Sequence, residues 1–277
     1  MPFALILSSY VAASRVGGGA QALALMPFGI DTAVIPSVLF GRHPGWGAPG
    51  GGTVDAQTMR EMIDAVAANG LNAQTDAVIC GYFVDAAQVR LAGETIDRVR
   101  SAQPLARVVV DPVLGDRGQG FFVSDEVCQA VKDELVPRAD LVTPNLFELE
   151  FLAGRPLDGV SDIIAAARGL KRPALVTSAP AGEDEIGALY VDEATAVLAA
   201  HRRLKAVPQG TGDLICALYT AGLIEGLAPA AALERAARAT AETVETADAL
   251  RATELPIVAL GDRLVRPTAE VRIETLA

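Results

Sequence analysis

The chain has little of what several protein classes require. Its three cysteines, Cys80, Cys128 and Cys216, stand far apart with no CxxC pair. An odd, scattered set offers no disulfide framework and no zinc spacing, so a reducing compartment is expected. Only three lysines occur, Lys132, Lys171 and Lys205, and none follows a glycine, which excludes a Walker A phosphate loop. Positive charge is scarce: 23 Lys and Arg against 34 Asp and Glu give a formal net charge of −11. That argues against a nucleic-acid partner, because such a protein needs a basic face to displace counterions. No stretch approaches the roughly 18–20 apolar residues of a membrane span. The opening Met1-Pro2-Phe3-Ala4-Leu5-Ile6-Leu7 also lacks the basic residues of a secretory signal. The expectation is a cytoplasmic protein that binds neither membrane nor nucleic acid.

What is present is apolar material: 277 residues, 51% hydrophobic and 21% charged. At this size a domain buries roughly 70–75% of its extendable surface, so one domain over residues 1–277 is expected. Short apolar runs at 3–7, 32–38, 77–80, 107–110, 141–142 and 174–176 read as buried strands. Helical patterns lie between them, at 19–26, 56–68, 86–102, 124–135, 147–153 and 161–170. This alternation predicts an α/β fold, three layers α/β/α around a mainly parallel sheet. Residues 186–190 and 195–200 read as an antiparallel hairpin, 211–225 and 230–246 as helices, and 256–260 and 271–273 as short closing strands. The Gly/Pro-rich stretch 41–52 reads as a mobile flap beside a site.

In open parallel sheets, ligands bind beyond the carboxyl ends of the strands. The residues that follow the strands here are Ser8-Ser9-Tyr10, Phe40-Gly41-Arg42-His43, Gly81-Tyr82, Asp111-Pro112, Thr143-Pro144-Asn145 and Thr177-Ser178. The sharpest motif is Gly210-Thr211-Gly212-Asp213 at the head of an amphipathic helix. Glycines there leave backbone N–H groups at the positive helix end, an anion hole without basic side chains. It answers the problem of an anionic substrate in an acidic protein. Asp213 beside the hole can take a proton from an alcohol; the bland alternative is a tight turn with an ordinary first-turn acid. Asp111-Pro112-Val113-Leu114-Gly115-Asp116 and Thr143-Pro144-Asn145-Leu146-Phe147-Glu148 place carboxylates on neighbouring strand ends, an arrangement that can hold nucleotide-bound Mg²⁺. Turn chemistry for Asp116 and an N-cap for Asn145 are equally consistent. Gly45-Trp46-Gly47-Ala48-Pro49-Gly50 matches G-x-G-x-x-G, but Pro49 breaks the strand-to-helix context of a dinucleotide site.

Together, in this order and spacing, these segments resemble the pyridoxal kinases of the ribokinase-like superfamily. The likeness starts at Ser8-Ser9-Tyr10-Val11 and Ser14-Arg15-Val16-Gly17 and runs to Gly210–Asp213, nearly the whole chain. It implies ATP-dependent phosphorylation of the 5′-hydroxymethyl group of pyridoxal, pyridoxine or pyridoxamine. By resemblance, Asp213 is the base, and the amides of Gly210, Thr211 and Gly212 stabilise the migrating phosphoryl group. Asp111, Thr143, Asn145 and Glu148 serve nucleotide phosphates and metal, with Asp111 and Glu148 on Mg²⁺. Ser9 contacts the pyridine ring, and His43, Pro44, Gly45 and Tyr82 line its pocket. Thr177, Ser178 and residues 203–207, including Lys205 and Val207, lie along the nucleotide. A homodimer and a monovalent cation, K⁺ or Na⁺, are further implications. An aromatic flank of Tyr82, Trp46 and Phe40 suits a flat ring.

Departures from the family pattern fall at Gly41-Arg42 before His43, at Pro44 where threonine is common, at Gly17-Gly18-Gly19-Ala20 and at Phe122. They bear on vitamer preference and turnover. Hydroxymethylpyrimidine phosphate kinases of the same superfamily typically carry cysteine at the position of Asp213. Sugar kinases lack the Asp111 and Thr143 segments. A vitamer-binding protein without catalysis is the alternative from another class.

Overall fold

The computed structural model describes residues 1–204 and 207–276. The first half runs β1 (Phe3–Val11), α1 (Gly17–Leu25), β2 (Asp31–Phe40), β3 (Gly51–Thr53), α2 (Ala56–Ala68), β4 (Ala77–Cys80), α3 (Ala86–Ala102) and β5 (Arg107–Val110). A small hairpin, β6 (Gly115–Asp116) and β7 (Gly120–Phe121), precedes α4 (Asp125–Ala130), β8 (Leu141–Val142), α5 (Leu146–Ala153) and α6 (Gly159–Gly169). The remainder is β9 (Ala174–Pro180), β10 (Glu185–Val191), β11 (Ala196–Arg202), α7 (Thr211–Ile224), α8 (Pro229–Leu250), α9 (Ile257–Leu260) and β12 (Arg272–Thr275).

Ten strands form one sheet in the order β12-β11-β10-β9-β8-β5-β4-β1-β2-β3. The six from β9 to β2 are parallel neighbours. Antiparallel strands extend it on both sides, β10 to β12 at one edge and β3 at the other. The central strands are apolar on both faces because helices cover both. Along β1, Ala4 and Ile6 enter a core with α1, α7 and α8, whereas Leu5 and Leu7 enter one with α2 and α3. Ala77 and Ile79 of β4 split from Val78 and Cys80 in the same way. The architecture is the mainly parallel α/β/α sandwich that the alternation predicts.

Several boundaries differ from the sequence reading, each for a local reason. β1 and β2 continue to Val11 and Phe40, so Ser8, Ser9 and Tyr10 belong to the strand. A register shift between Ser8 and Tyr10 reorients that end. Residues 124–135 are not one α-helix, since α4 passes into a π-helical turn at Val131–Leu135. Where a strand is expected over 256–260, residues 257–260 form α9: Ile257 and Leu260 are buried while Val258 is 67% exposed, a helical spacing of apolar contacts. The stretch 41–52 carries structure of its own. It holds a 3-10 turn at Pro44–Trp46, is tied at its neck by Gly41 and Arg42 N–H to Pro49 O (3.0 and 3.2 Å), and leads into β3.

The parallel strands end level with one another. Gly81 N–H donates to Leu7 O (2.8 Å), Asp111 N–H to Cys80 O (2.8 Å) and Thr143 N–H to Val110 O (2.9 Å). The polar strand ends therefore face one crevice. The turn from β1 into α1 passes close to this crevice, and Gly17 makes that possible. Its φ is +60°, and a Cβ there would fall 2.1 Å from Ser9 Oγ and 2.6 Å from Ser9 O. Gly17→Ala is expected to lower unfolding free energy by about 1–3 kcal/mol, the usual cost of a non-glycine residue in this region, with urea denaturation as the measurement. An unchanged midpoint would mean that the turn relaxes freely.

Candidate active site

α7 begins at Thr211, preceded by Gly210 in the left-handed region (φ 95°) with no side-chain cap. A Cβ at Gly210 would lie 2.2 Å from Arg15 O, so this position admits only glycine. The first N–H used within the helix is that of Leu214, donated to Gly210 O (2.9 Å). Helix geometry leaves the N–H groups of Thr211, Gly212 and Asp213 without intrahelical partners. A Cβ placed on Gly212 would meet nothing within 4 Å among the described residues, and Gly212 lines a cavity.

Asp213 projects from this first turn. Gly17 N–H donates to its Oδ2 (2.8 Å), whereas its Oδ1 is buried with no hydrogen-bond partner among the described residues. Burial raises its pKa to about 6, opposed by the Gly17 hydrogen bond. Nearby, Asp111 is 6% exposed and accepts a hydrogen bond from Thr143 Oγ (3.0 Å). Its pKa is pushed well up by burial, then by the charges of Asp213 and Glu148, against the Thr143 bond. Glu148 is pushed up to about 7 by burial. Among the described residues, none of these three carboxylates forms an ion pair. Buried negative charge without a basic partner is costly.

The carboxylate of Glu148 is largely engaged. Its Oε1 accepts from Leu114 N–H (2.8 Å) and Gly115 N–H (3.4 Å), and its Oε2 accepts from Asn145 N–H (2.8 Å). Asn145 caps α5, accepting from Glu148 N–H (3.0 Å), and its side-chain amide donates to Gly115 O (2.7 Å). Asn145 and Glu148 thus lock the head of α5 to the turn after β5, and Asp116 caps its own hairpin through Gly118 and Gln119 N–H (both 2.7 Å).

Two cavities open on the crevice. The larger, about 330 Å³, is lined by Ser9, His43, Pro44, Gly45, Tyr82 and Asp213, which include every residue expected to contact the vitamer, together with Gly210. His43 Nδ1 accepts from Gly45 N–H (3.1 Å), which puts any ring proton of the neutral imidazole on Nε2; burial lowers its pKa. The smaller, about 140 Å³, is lined by Thr177, Ser178, Val207, Thr211 and Gly212 among others. Ser178 there adopts φ +57°. The first turn of α7 is the wall between the two, with Gly210 and Asp213 on one side and Thr211 and Gly212 on the other. Asp111, Thr143, Asn145 and Glu148 line neither cavity; Asp111 is close enough to Asp213 to feel its charge. Lys205 lies outside the described residues. Trp46 does not flank the larger cavity: it is 43% exposed on the 3-10 turn, while Phe40 and Tyr82 do line it.

Sequence reasoning misses Val113, Gln119 and Gln209 in the larger cavity. Val113 has φ +46°, a conformation that turns the chain after Asp111 and that its residue type does not signal. In the sequence Gly17 stands out only as part of a glycine run. The run itself is the available signal, since a backbone approaching an aspartate closely calls for a residue without a side chain. In the smaller cavity the residues missed include His201 of β11 and Thr240 of α8, whereas Arg203, expected along the nucleotide, does line it.

The sequence pattern of the phosphomethylpyrimidine kinase family matches residues 49–257. The pyridoxine/pyridoxal/pyridoxamine kinase of Bordetella avium is 36% identical over 242 residues, covering 84% of this chain and 80% of that protein. Pyridoxal kinase PdxY of Corynebacterium diphtheriae is 31% identical over 280 residues, covering 99% of each chain. The fold is shared with pyridoxal kinase from Leishmania donovani in complex with ADP and pyridoxamine, at TM-score 0.93 and 22% identity over 100% of both chains. With Asp213 at the head of α7 between two cavities and this set of relatives, the chain belongs to the pyridoxal kinases of the ribokinase-like superfamily.

Proposed function

We propose that the chain, as one kinase domain over residues 1–277, transfers the γ-phosphoryl group of ATP to the 5′-hydroxyl of pyridoxal, with pyridoxine and pyridoxamine as further acceptors. The observation that carries this reading is the α7 first turn standing between the two cavities. The vitamer occupies the larger, beside Ser9, His43 and Tyr82, and ATP the smaller, along Thr177, Ser178 and Val207. Its γ-phosphate meets the amides of Thr211 and Gly212, with Gly210 closing the turn. Asp213 accepts the proton of the 5′-hydroxyl, whose oxygen forms the new P–O bond. The bond to the β-phosphate oxygen breaks and ADP leaves. Such a transfer is mainly positioning plus charge stabilisation, the work of preorganised amides in a water-poor site.

Mg²⁺ fits the donor chemistry. Among the described residues no group of three or more His, Cys, Asp or Glu side chains is arranged as an all-protein cage. Mg²⁺ characteristically uses one or two carboxylates and completes its shell with phosphates and water. Asp111 is the direct candidate, its carboxylate raised in pKa by burial and by neighbouring negative charge. Glu148, with its oxygens already accepting three N–H groups, contributes charge behind it. Bound there, the ion supplies neutralisation of the phosphate oxygens. A monovalent cation such as K⁺ or Na⁺, a homodimer and a cytoplasmic location complete the proposal; among the described residues no helix is long and apolar enough to cross a membrane.

The test is incubation with Mg-ATP and a panel of vitamers and hydroxymethylpyrimidine, followed by detection of phosphorylated product. Pyridoxal 5′-phosphate is the expected product, and phosphorylation of the pyrimidine alone contradicts the substrate assignment. Asp213→Asn is expected to lower kcat by about 10²–10⁴-fold, the range for a general base, with vitamer affinity largely retained. Because Asp213 must be ionised to accept a proton, wild-type kcat/KM should fall as pH drops through about 6.

The raised carboxylates also make a stability prediction. The folded form binds more protons than the unfolded chain between the ordinary carboxylate range and about 6 for Asp213 or about 7 for Glu148. Their contribution to stability therefore declines as pH rises through that window. Mg²⁺ should raise Tm more at pH 8 than at pH 5, because Glu148, raised to about 7, carries most of its charge only at the higher pH, and burial holds Asp111 towards its neutral form as pH falls. An equal shift at both values, read by thermal unfolding, counts against a site at Asp111.

A further inference from the structure

The turn between β1 and α1 touches the head of α7 twice. Gly17 N–H holds Asp213 Oδ2, and the Arg15 carbonyl packs directly on Gly210. Within the turn, Ser14 N–H reaches Val11 O only at 3.3 Å. A firmer hold comes from the other end of the chain. Glu254, in the connection between α8 and α9, accepts from Ser14 Oγ through Oε1 (2.9 Å) and from Arg15 N–H through Oε2 (2.7 Å). Ser14 is buried. Leu255 and Ile257, which follow Glu254, are buried in the core shared with α1 and α7, so the carboxylate is carried on a packed segment. Glu254 lines neither cavity, and among the described residues it forms no ion pair.

We propose that Glu254 is a positioning residue for phosphoryl transfer: by pinning Ser14 and Arg15 it sets the Gly17 amide against Asp213 and the Arg15 carbonyl against Gly210. The inference rests on Asp213 being the base. Both contacts bear on groups that act in the chemical step, so loss of the clamp lowers kcat far more than it weakens ground-state binding. The carboxylate also acts on His43, whose pKa it raises against the larger effect of burial. A route through His43 would instead appear in vitamer binding, because that ring lines the larger cavity.

The experiment compares Glu254→Ala and Glu254→Gln, each alone and combined with Asp213→Asn. Displacements of about 1 Å far from the chemistry cost up to about 10²-fold, so Glu254→Ala is expected to lower kcat by roughly 10- to 10²-fold. KM for pyridoxal and ATP should change by less than about threefold, against the larger loss in kcat, and the ADP-binding stoichiometry should stay at the wild-type value. Glu254→Gln should restore most of the turnover, since a carboxamide oxygen can accept from Arg15 N–H while its NH₂ donates to Ser14 Oγ. In the Asp213→Asn background, Glu254→Ala should add little, because residues acting through one another are non-additive. An equal fractional loss in both backgrounds overturns the proposal, as does a loss confined to KM for pyridoxal or a Gln variant as impaired as Ala. If Glu254→Ala does not accumulate as folded protein, Ser14→Ala removes one of the two bonds and carries the same comparison with a smaller loss. Wild-type turnover in Asp213→Asn alone would instead strike the underlying assignment of the base.

Discussion

Three backbone N–H groups at the start of α7 cannot be paired inside the helix, and the surrounding structure is organised to leave them usable. Gly210 takes a left-handed conformation to begin the helix abruptly. Open space borders Gly212. The level ends of the parallel strands put the crevice in front, and the β1–α1 turn closes on the flank. A helix N-terminus carries roughly half a positive elementary charge, which is enough to receive phosphate oxygens without a lysine. The scarcity of lysine and the net charge of −11 are compatible with an anionic substrate on that ground.

The same arrangement sets the protonation of the site. Asp213, Asp111 and Glu148 are acids without a basic side chain in ion-pair contact among the described residues, and burial raises the pKa of all three. Hydrogen bonding divides their tasks. The carboxylate of Glu148 is taken up by the turn after β5 and by the cap of α5. Asp111 is held by the Thr143 hydroxyl. Asp213 keeps one oxygen on Gly17 and the other buried and unpartnered among the described residues, which suits the base role proposed for it. Under the proposed mechanism, hydrogen bonding rather than acidity would separate scaffold from base among the three.

Much of this is legible from residue order. Apolar runs separated by helical periods point to the parallel sheet, because strands buried on both faces must be continuously apolar. The Gly210–Asp213 motif declares its helix start, and the polar strand ends locate the crevice. Residue identity does not reveal which donors and acceptors are already taken. That Glu148 accepts from three main-chain N–H groups is not legible in the sequence, because the donors come from two separate segments. Trp46 reads as a ring contact, but the 3-10 turn directs it to the surface. The clamp by Glu254 spans 239 and 240 residues to its two partners and leaves no local pattern. Likewise α9 resembles a strand, since four apolar residues are too few to separate a period of two from one near four.

The central claim is that the migrating phosphoryl group lies against the first turn of α7, between the two cavities. The most direct measurement is a crystal structure with Mg²⁺, ADP, pyridoxal and a planar metal fluoride standing in for that group. The account predicts the fluoride within hydrogen-bonding reach of the Thr211 and Gly212 amides, with Asp213 on the 5′-hydroxyl of the vitamer. A fluoride held elsewhere in the crevice, or a hydroxyl turned away from Asp213, would contradict it.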